Sequence, residues 1–168
     1  ERCGPMNFYT LYRCHNYHFK IYGAMFLGQR QVALDTADEL AASLPPEVVE
    51  PMADWVEGFY PMKQHVLIRF GEWDQIKQQP LPENPALYAF TLVLIHYAKT
   101  VAHAATGDIP AAEAAREDYL AAKAAMPETR TIFNNLCIDI LTVAEAMLEG
   151  ELSYRKGDFD AAFTHLRR

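Results

Sequence analysis

The sequence predicts an all-α protein, an α-solenoid of stacked antiparallel helical hairpins, and three observations carry that expectation. Apolar residues recur with a helical period among long stretches of Ala, Leu, Glu and Lys, and the β-branched residues do not alternate. A short turn also recurs: Gly28-Gln29-Arg30-Gln31-Val32-Ala33, Gly71-Glu72-Trp73-Asp74-Gln75-Ile76, Gly107-Asp108-Ile109-Pro110-Ala111-Ala112 and Gly157-Asp158-Phe159-Asp160-Ala161-Ala162. In each, glycine is suited to the positive φ that closes one helix, the next residues cap a second, and a small or apolar residue lets the two approach. Finally, joints at 28, 71, 107 and 157 are spaced as stacked units are, not as the loops of one closed bundle.

The elements follow in order. Residues 1–14 hold Phe8, Tyr9, Leu11 and Tyr12 behind a Gly4-Pro5 break, as the tail of a preceding helix or an apolar lead-in. A helix is expected from His15 to Leu27, ended by Gly28. Val32, Ala33, Ala37, Leu40 and Ala41 form the apolar stripe of the next, which Pro45-Pro46 stops. Residues 47–59 suit one further helix, with Val48, Val49, Met52, Trp55, Val56 and Phe59 on its buried side. Pro61 suits the first turn of another, which runs to Phe70.

A short helix at 73–78 follows Gly71, with Trp73 plugging the joint and Asp74 capping. Pro80, Pro82 and Pro85 make 79–86 an extended connector. Residues 87–106 read as a long helix, apolar almost all round in its first half and therefore deeply buried, and 111–126 as an alanine-rich helix whose neighbours come close. Beyond Pro127, residues 131–155 read as a long helix interrupted near Gly150, followed by a final helix after Gly157. No stretch alternates for long enough to predict a strand.

Composition narrows the function classes. With 168 residues and 51% hydrophobic content, 1–168 is expected to be a single domain with a continuous core. A formal charge of −7, a pI near 5.3 and dispersed Lys and Arg argue against nucleic acid and anionic membrane as partners. The longest apolar stretch, 87–101, is interrupted by His96 and Lys99, so membrane insertion is not expected. Cys3, Cys14 and Cys137 are odd in number and far apart, which favours the cytoplasm or another reducing compartment over a disulfide framework. Glu1-Arg2-Cys3 at the start and Arg167-Arg168 within a helical pattern are the marks expected of a piece of a longer protein.

Gly157-Asp158-Phe159-Asp160-Ala161-Ala162, with Gly150 seven positions before the turn glycine, resembles the tetratricopeptide repeat signature. Cys14-His15-Asn16-Tyr17-His18-Phe19 and Arg69-Phe70-Gly71-Glu72-Trp73-Asp74-Gln75-Ile76 are similar to segments of large tetratricopeptide-like proteins of bacteria and some algae, a largely uncharacterised group. The 34-residue period is not kept. In that repeat the first helix of each hairpin lines a concave groove, at the second, fifth, sixth, ninth, twelfth and thirteenth places before a turn glycine counted as fifteenth.

The resemblance implies a groove lined by His15, His18, Phe19, Tyr22, Met25 and Phe26, then by His65, Ile68 and Arg69. Leu94, Tyr97 and Val101 follow, and Met147, Glu151, Tyr154 and Arg155 complete it. Such a surface suits a peptide or helix of a protein partner, because aromatics supply area and arginine grips carboxylates. A structural subunit that self-associates through exposed solenoid ends is a second expectation.

Other residue patterns admit ordinary structural roles. His15 and His18 lie one helical turn apart, a spacing at which two imidazoles could reach a metal completed by His65, or could simply pack and hydrogen-bond. His96 and His103 share a helix face and read as core residues sooner than as an acid and base. Ser43 and Ser153 stand alone, no glycine pair cradles phosphate, and Glu113, Glu117 and Asp118 with Arg116 and Lys123 read as a solvated face. No cofactor is implied and no catalytic residue is expected.

Overall fold

The computed structural model describes residues 8–168, and it is mostly helical. In chain order the elements are α1 (Phe8–Phe26), α2 (Arg30–Ala42), α3 (Pro46–Val49), α4 (Ala53–Val56), α5 (Met62–Phe70), α6 (Trp73–Lys77), α7 (Ala89–Ala105), α8 (Ile109–Ala125), β1 (Thr131–Ile132), β2 (Asn135–Leu136), α9 (Cys137–Lys156) and α10 (Phe159–Leu166). The four recurring glycines separate α1 from α2, α5 from α6, α7 from α8 and α9 from α10.

Each of them takes a left-handed φ, between 69° and 84°, that would strain a side chain. The following N–H then folds back five residues: Gln29 to the Ala24 carbonyl at 2.8 Å, Glu72 to Leu67 at 2.9 Å, Asp108 to His103 and Asp158 to Ser153 at 3.0 Å. Carbonyls left open at the helix end are thus satisfied within the turn. Asp108 and Asp158 also accept from the N–H groups of Ala111 and Ala161, capping α8 and α10. At the first two joints Gln29 and Glu72 make no such cap. Instead Arg30, just past one joint, forms an ion pair with Glu72, just past the next.

Packing follows chain order. The helices of each pair touch, α2 rests on α5, α6 on α7, and α7 and α8 on α9. Ile21, Leu40, Val56 and Leu67 centre one core cluster; Phe90, Tyr119, Leu141 and Leu148 centre another. Small residues permit the closest approaches, as expected for α8, where Ala112 and Ala115 are buried. A Cβ on Gly150 would stand 2.5 Å from Leu166 Cγ, so the helix-on-helix contact of α9 with α10 depends on that glycine.

Several expectations are corrected. The first helix begins at Phe8, not His15, while the Gly4-Pro5 break lies outside the described residues. Residues 47–59 do not form one helix: Pro51 has no N–H to donate, and the segment breaks into α3, α4 and two 3-10 turns (Glu50–Met52 and Glu57–Phe59). Trp55 and Val32, placed on buried stripes by periodicity, are exposed. The helix expected over 131–155 begins only at Cys137 and runs unbroken through Gly150, because β1 and β2 pair as a small antiparallel hairpin ahead of it.

Asp74 does not cap α6; it faces Lys77 at 3.7 Å, and Trp73 packs its indole against Gly71. The charged face of α8 is not merely solvated. Arg116 and Lys123 reach across to Glu149 and Glu145, and Glu113 meets Lys156, all on α9.

Buried charge ties the middle of the chain together. Glu57 is 1% exposed, yet its Oε1 accepts from the Thr91 N–H at 2.9 Å, in the first turn of α7 where helix donors are otherwise unpaired. Its Oε2 lies 3.5 Å from Arg130 Nη1. Arg130 also donates to the Ala86 carbonyl, so one guanidinium joins the connector, Glu57 and the approach to the hairpin. Burial raises the Glu57 pKa, opposed by the Thr91 hydrogen bond and the Arg130 charge.

Candidate aromatic docking face

The exposed face of α1 carries rings one helical turn apart because residues three and four positions on share a face. Phe19 is 65% exposed, Tyr22 41% and Phe26 80%. Ring centroids run neighbour to neighbour from Phe26 to Tyr22 (6.3 Å), Tyr22 to His18 (4.9 Å) and His18 to Phe59 (5.8 Å), then to Phe133 (5.8 Å) and Trp55 (5.4 Å). His15 adds a tilted contact with Phe19 at 4.5 Å. Edge-on and tilted geometries of this kind are the favourable ones for π systems.

Phe133 sits in this band at a backbone cost. It is the first residue of the two-residue loop between β1 and β2 and has φ 56°, a left-handed value usually left to glycine in such turns. Its N–H donates to the Asp54 carbonyl at 2.9 Å, and its ring meets Trp55 and Phe59. Ile132 beside it fills the space against Gly58, where a Cβ would come within 2.7 Å. Strain of this kind persists only where surroundings overdetermine it, and it clusters at functional surfaces.

The histidines form an electrostatic chain along the same face. Lost hydration lowers the His18 pKa, and His15 lowers it further; His65 is lowered by lost hydration and then by His18. His65 is exposed on α5. One turn beyond it on α5, Arg69 is exposed, and among the described residues it makes no ion pair. Among the described residues no three His, Cys, Asp or Glu side chains group so as to hold a metal ion, so His15, His18 and His65 do not present a coordination shell.

Not every residue expected in the groove reaches it. Met25, Leu94 and Val101 are buried in the core, because α1 and α7 turn those positions toward neighbouring helices. Tyr97 is half-buried, its pKa raised by burial and then by Glu151. Glu151, Tyr154 and Arg155 gather near it on α9: Arg155 pairs with Glu151 at 2.8 Å and lies over the Tyr154 ring, which meets Phe159 at 5.2 Å. Met147 is exposed but lines a different cleft, with Leu166 and Lys123.

Sequence periodicity missed Trp55, Phe59 and Phe133 as members of the band. Only the broken 46–59 segment and the hairpin bring them there. The remaining titratable candidates play other parts. His96 is buried 3.9 Å from Asp118, His103 lies 3.9 Å from Asp108, and both pKa values are lowered by burial. Cys14 and Cys137 are free buried thiols; burial raises both, Cys137 to about 12, which leaves them unreactive, and Cys3 lies outside the described residues. No described helix is long and apolar enough to cross a membrane.

No protein-family model, curated protein or solved structure matches the chain.

Proposed function

We propose that the chain is a tetratricopeptide-like α-solenoid segment that acts as a protein-interaction module, binding a peptide or helix of a partner across the α1 face. The observation that carries this reading is the band of rings from Phe26 through Tyr22 and His18 to Phe133 and Trp55, joined at its centre by the buried Phe59 and bordered by His65 and by Arg69, which makes no ion pair among the described residues. Soluble proteins rarely leave so many contiguous rings in water without a use. Rigid aromatics supply buried area at little entropic cost, and Arg69 supplies a two-pronged grip for a carboxylate. The glycine joints and in-order packing of the helix pairs support the solenoid reading.

A peptide array probed with the protein and with a Tyr22→Ala, His65→Ala, Arg69→Ala variant tests the docking face. Loss of binding in the folded variant is expected; unchanged binding would place the interaction elsewhere.

A second reading, self-association, draws on α10. Phe159, Phe163 and Leu166 lie on one side of that helix and are exposed, an apolar stripe suited to a second copy. Sedimentation as a concentration-dependent dimer that Phe163→Glu abolishes is its expected result.

A further inference from the structure

The aromatic band has two ends, and they differ in charge. Arg30, just past the close of α1, pairs with Glu72, just past the close of α5, so the two helices end side by side. Phe26 closes α1 and Arg69 lies in the last turn of α5, which sets both at this end. Arg69 is exposed and makes no ion pair among the described residues. Glu72, the nearest carboxylate along the chain, is held by Arg30 and by the Gln75 amide at 2.6 Å. The uncommitted charge here is positive.

The other end is a corner of two rings. Trp55 and Phe133 meet at 5.4 Å and 88°, and they are 49% and 39% exposed. The hairpin is fastened there by the Phe133 N–H donating to the Asp54 carbonyl at 2.9 Å and the Thr131 N–H to Asp54 Oδ1 at 3.3 Å, which holds the two ring faces in place. Beside them Glu50, Asp54 and Trp55 line an open cleft of about 620 Å³. Both carboxylates are exposed, and Glu50 makes no ion pair among the described residues. Arg130 also lines the cleft, but it is 12% exposed and committed to the Ala86 carbonyl, Glu57 and Asp54. Ring faces and carboxylates together attract a cation, and a guanidinium, planar and weakly hydrated, suits both at once.

We propose that the band receives a helical segment of a partner protein in one fixed direction: its arginine enters the Trp55–Phe133 corner beside Asp54 and Glu50, its carboxylate pairs with Arg69, and its apolar side covers the rings between. This rests on the docking reading of the α1 face and adds the chemistry and polarity of the occupant. Length follows from the band. Positions 18 to 26 of α1 cover about 12 Å, and ring-to-ring steps of 5.8, 5.8 and 5.4 Å lead from His18 through Phe59 and Phe133 to Trp55. A helix of about 20 residues or fewer therefore reaches both ends. Opposite charges at the two ends select direction and partner, because a reversed segment sets like charges together.

Alanine helices of about 20 residues with a leucine face are the probes. They are made with arginines in the first turn and glutamates in the last, with that order reversed, with glutamine at both ends, and with arginine at both ends. Each carries a nitroxide at its N-terminus and is titrated against the 168-residue chain, followed by nuclear magnetic resonance. Both mixed-charge forms are expected to bind at least about tenfold tighter than the glutamine form. The spin label of the arginine-first helix should broaden Trp55 and Phe133, and that of the reversed helix Tyr22 and Phe26. Arg69→Glu, a change at an exposed side chain, should bind the form with arginine at both ends in preference to either mixed form. The polarity is overturned if the label broadens the same residues in both orders, if the glutamine form binds as tightly as the mixed forms, or if Arg69→Glu leaves the order of preference unchanged. If no form broadens any ring of α1, the docking reading itself falls, and the polarity with it.

Discussion

Glu57 offers the sharpest test of the packing account, through a pair of substitutions. Its carboxylate accepts from Thr91 N–H at 2.9 Å, faces Arg130 at 3.5 Å and is 1% exposed. Glu57→Ala removes the acceptor at the α7 N-terminus, leaves Arg130 without its buried partner and opens a void. Orphaned buried donors and broken buried pairs together put the loss at about 2–4 kcal/mol, the lower end because Arg130 retains the Ala86 carbonyl. Glu57→Gln retains a carbonyl acceptor and should lie within about 1 kcal/mol of the parent at neutral pH.

The two variants also differ in their pH dependence. Burial raises the folded-state pKa of Glu57 above its unfolded value, so the fold prefers the protonated acid. That contribution is complete below about pH 4 and is lost as pH rises through the raised pKa. The stability of the parent relative to Glu57→Gln should therefore fall between about pH 4 and neutrality. Urea denaturation across that range measures it. A Gln variant as damaged as the Ala variant, or a parent that gains on Gln as pH rises, would show that the charge itself stabilises the fold and refute the desolvation argument.

Four further outcomes are expected. Gly107→Ala, at φ 82°, should cost about 1–2 kcal/mol and lower the melting temperature by a few degrees, with nothing sterically in the way of the new methyl to blame. Asp108→Ala and Asp158→Ala should each cost about 1 kcal/mol, as caps do, whereas Gln29→Ala, which caps nothing, should be near neutral in the same urea series. Phe133→Gly relieves the left-handed φ but removes the ring, so denaturation should register little change while peptide binding weakens. His18 and His65 have lowered folded pKa values, so their contribution is full above about pH 6.5 and is lost as pH falls from there through the lowered folded values. A His18→Asn, His65→Asn variant should flatten the decline in stability seen from pH 7 to 5, and proton NMR should place both imidazole midpoints below 6.5.

The helical class and all four joints were legible because glycine's backbone freedom is local: nothing outside Gly107-Asp108-Ile109-Pro110-Ala111 is needed to see a helix close and another start. The long buried helix was legible for a similar reason, since its first half, residues 89–95, is apolar almost all round. Residues 46–59 and 131–136 were not. Their shape is imposed from outside, by Glu57 reaching into α7, Arg130 reaching back and Phe133 wedged against Trp55, contacts between residues up to 79 positions apart whose partners carry no periodic mark. The aromatic band was half legible on the same grounds. Helix periodicity gave His18, Phe19, Tyr22 and Phe26, but a register counted from Gly28 could not tell that Met25 turns inward or that Phe59 and Phe133 extend the band.

The central claim is that the α1 face with its hairpin extension receives a partner segment, and a nuclear magnetic resonance footprint tests it most directly. A peptide selected against the protein from a random helical library is titrated into it while aromatic and backbone resonances are followed. The account predicts that perturbations concentrate at His18, Phe19, Tyr22, Phe59, His65 and Phe133. Perturbations confined to α8 and α10, with those six unmoved at saturation, would contradict it.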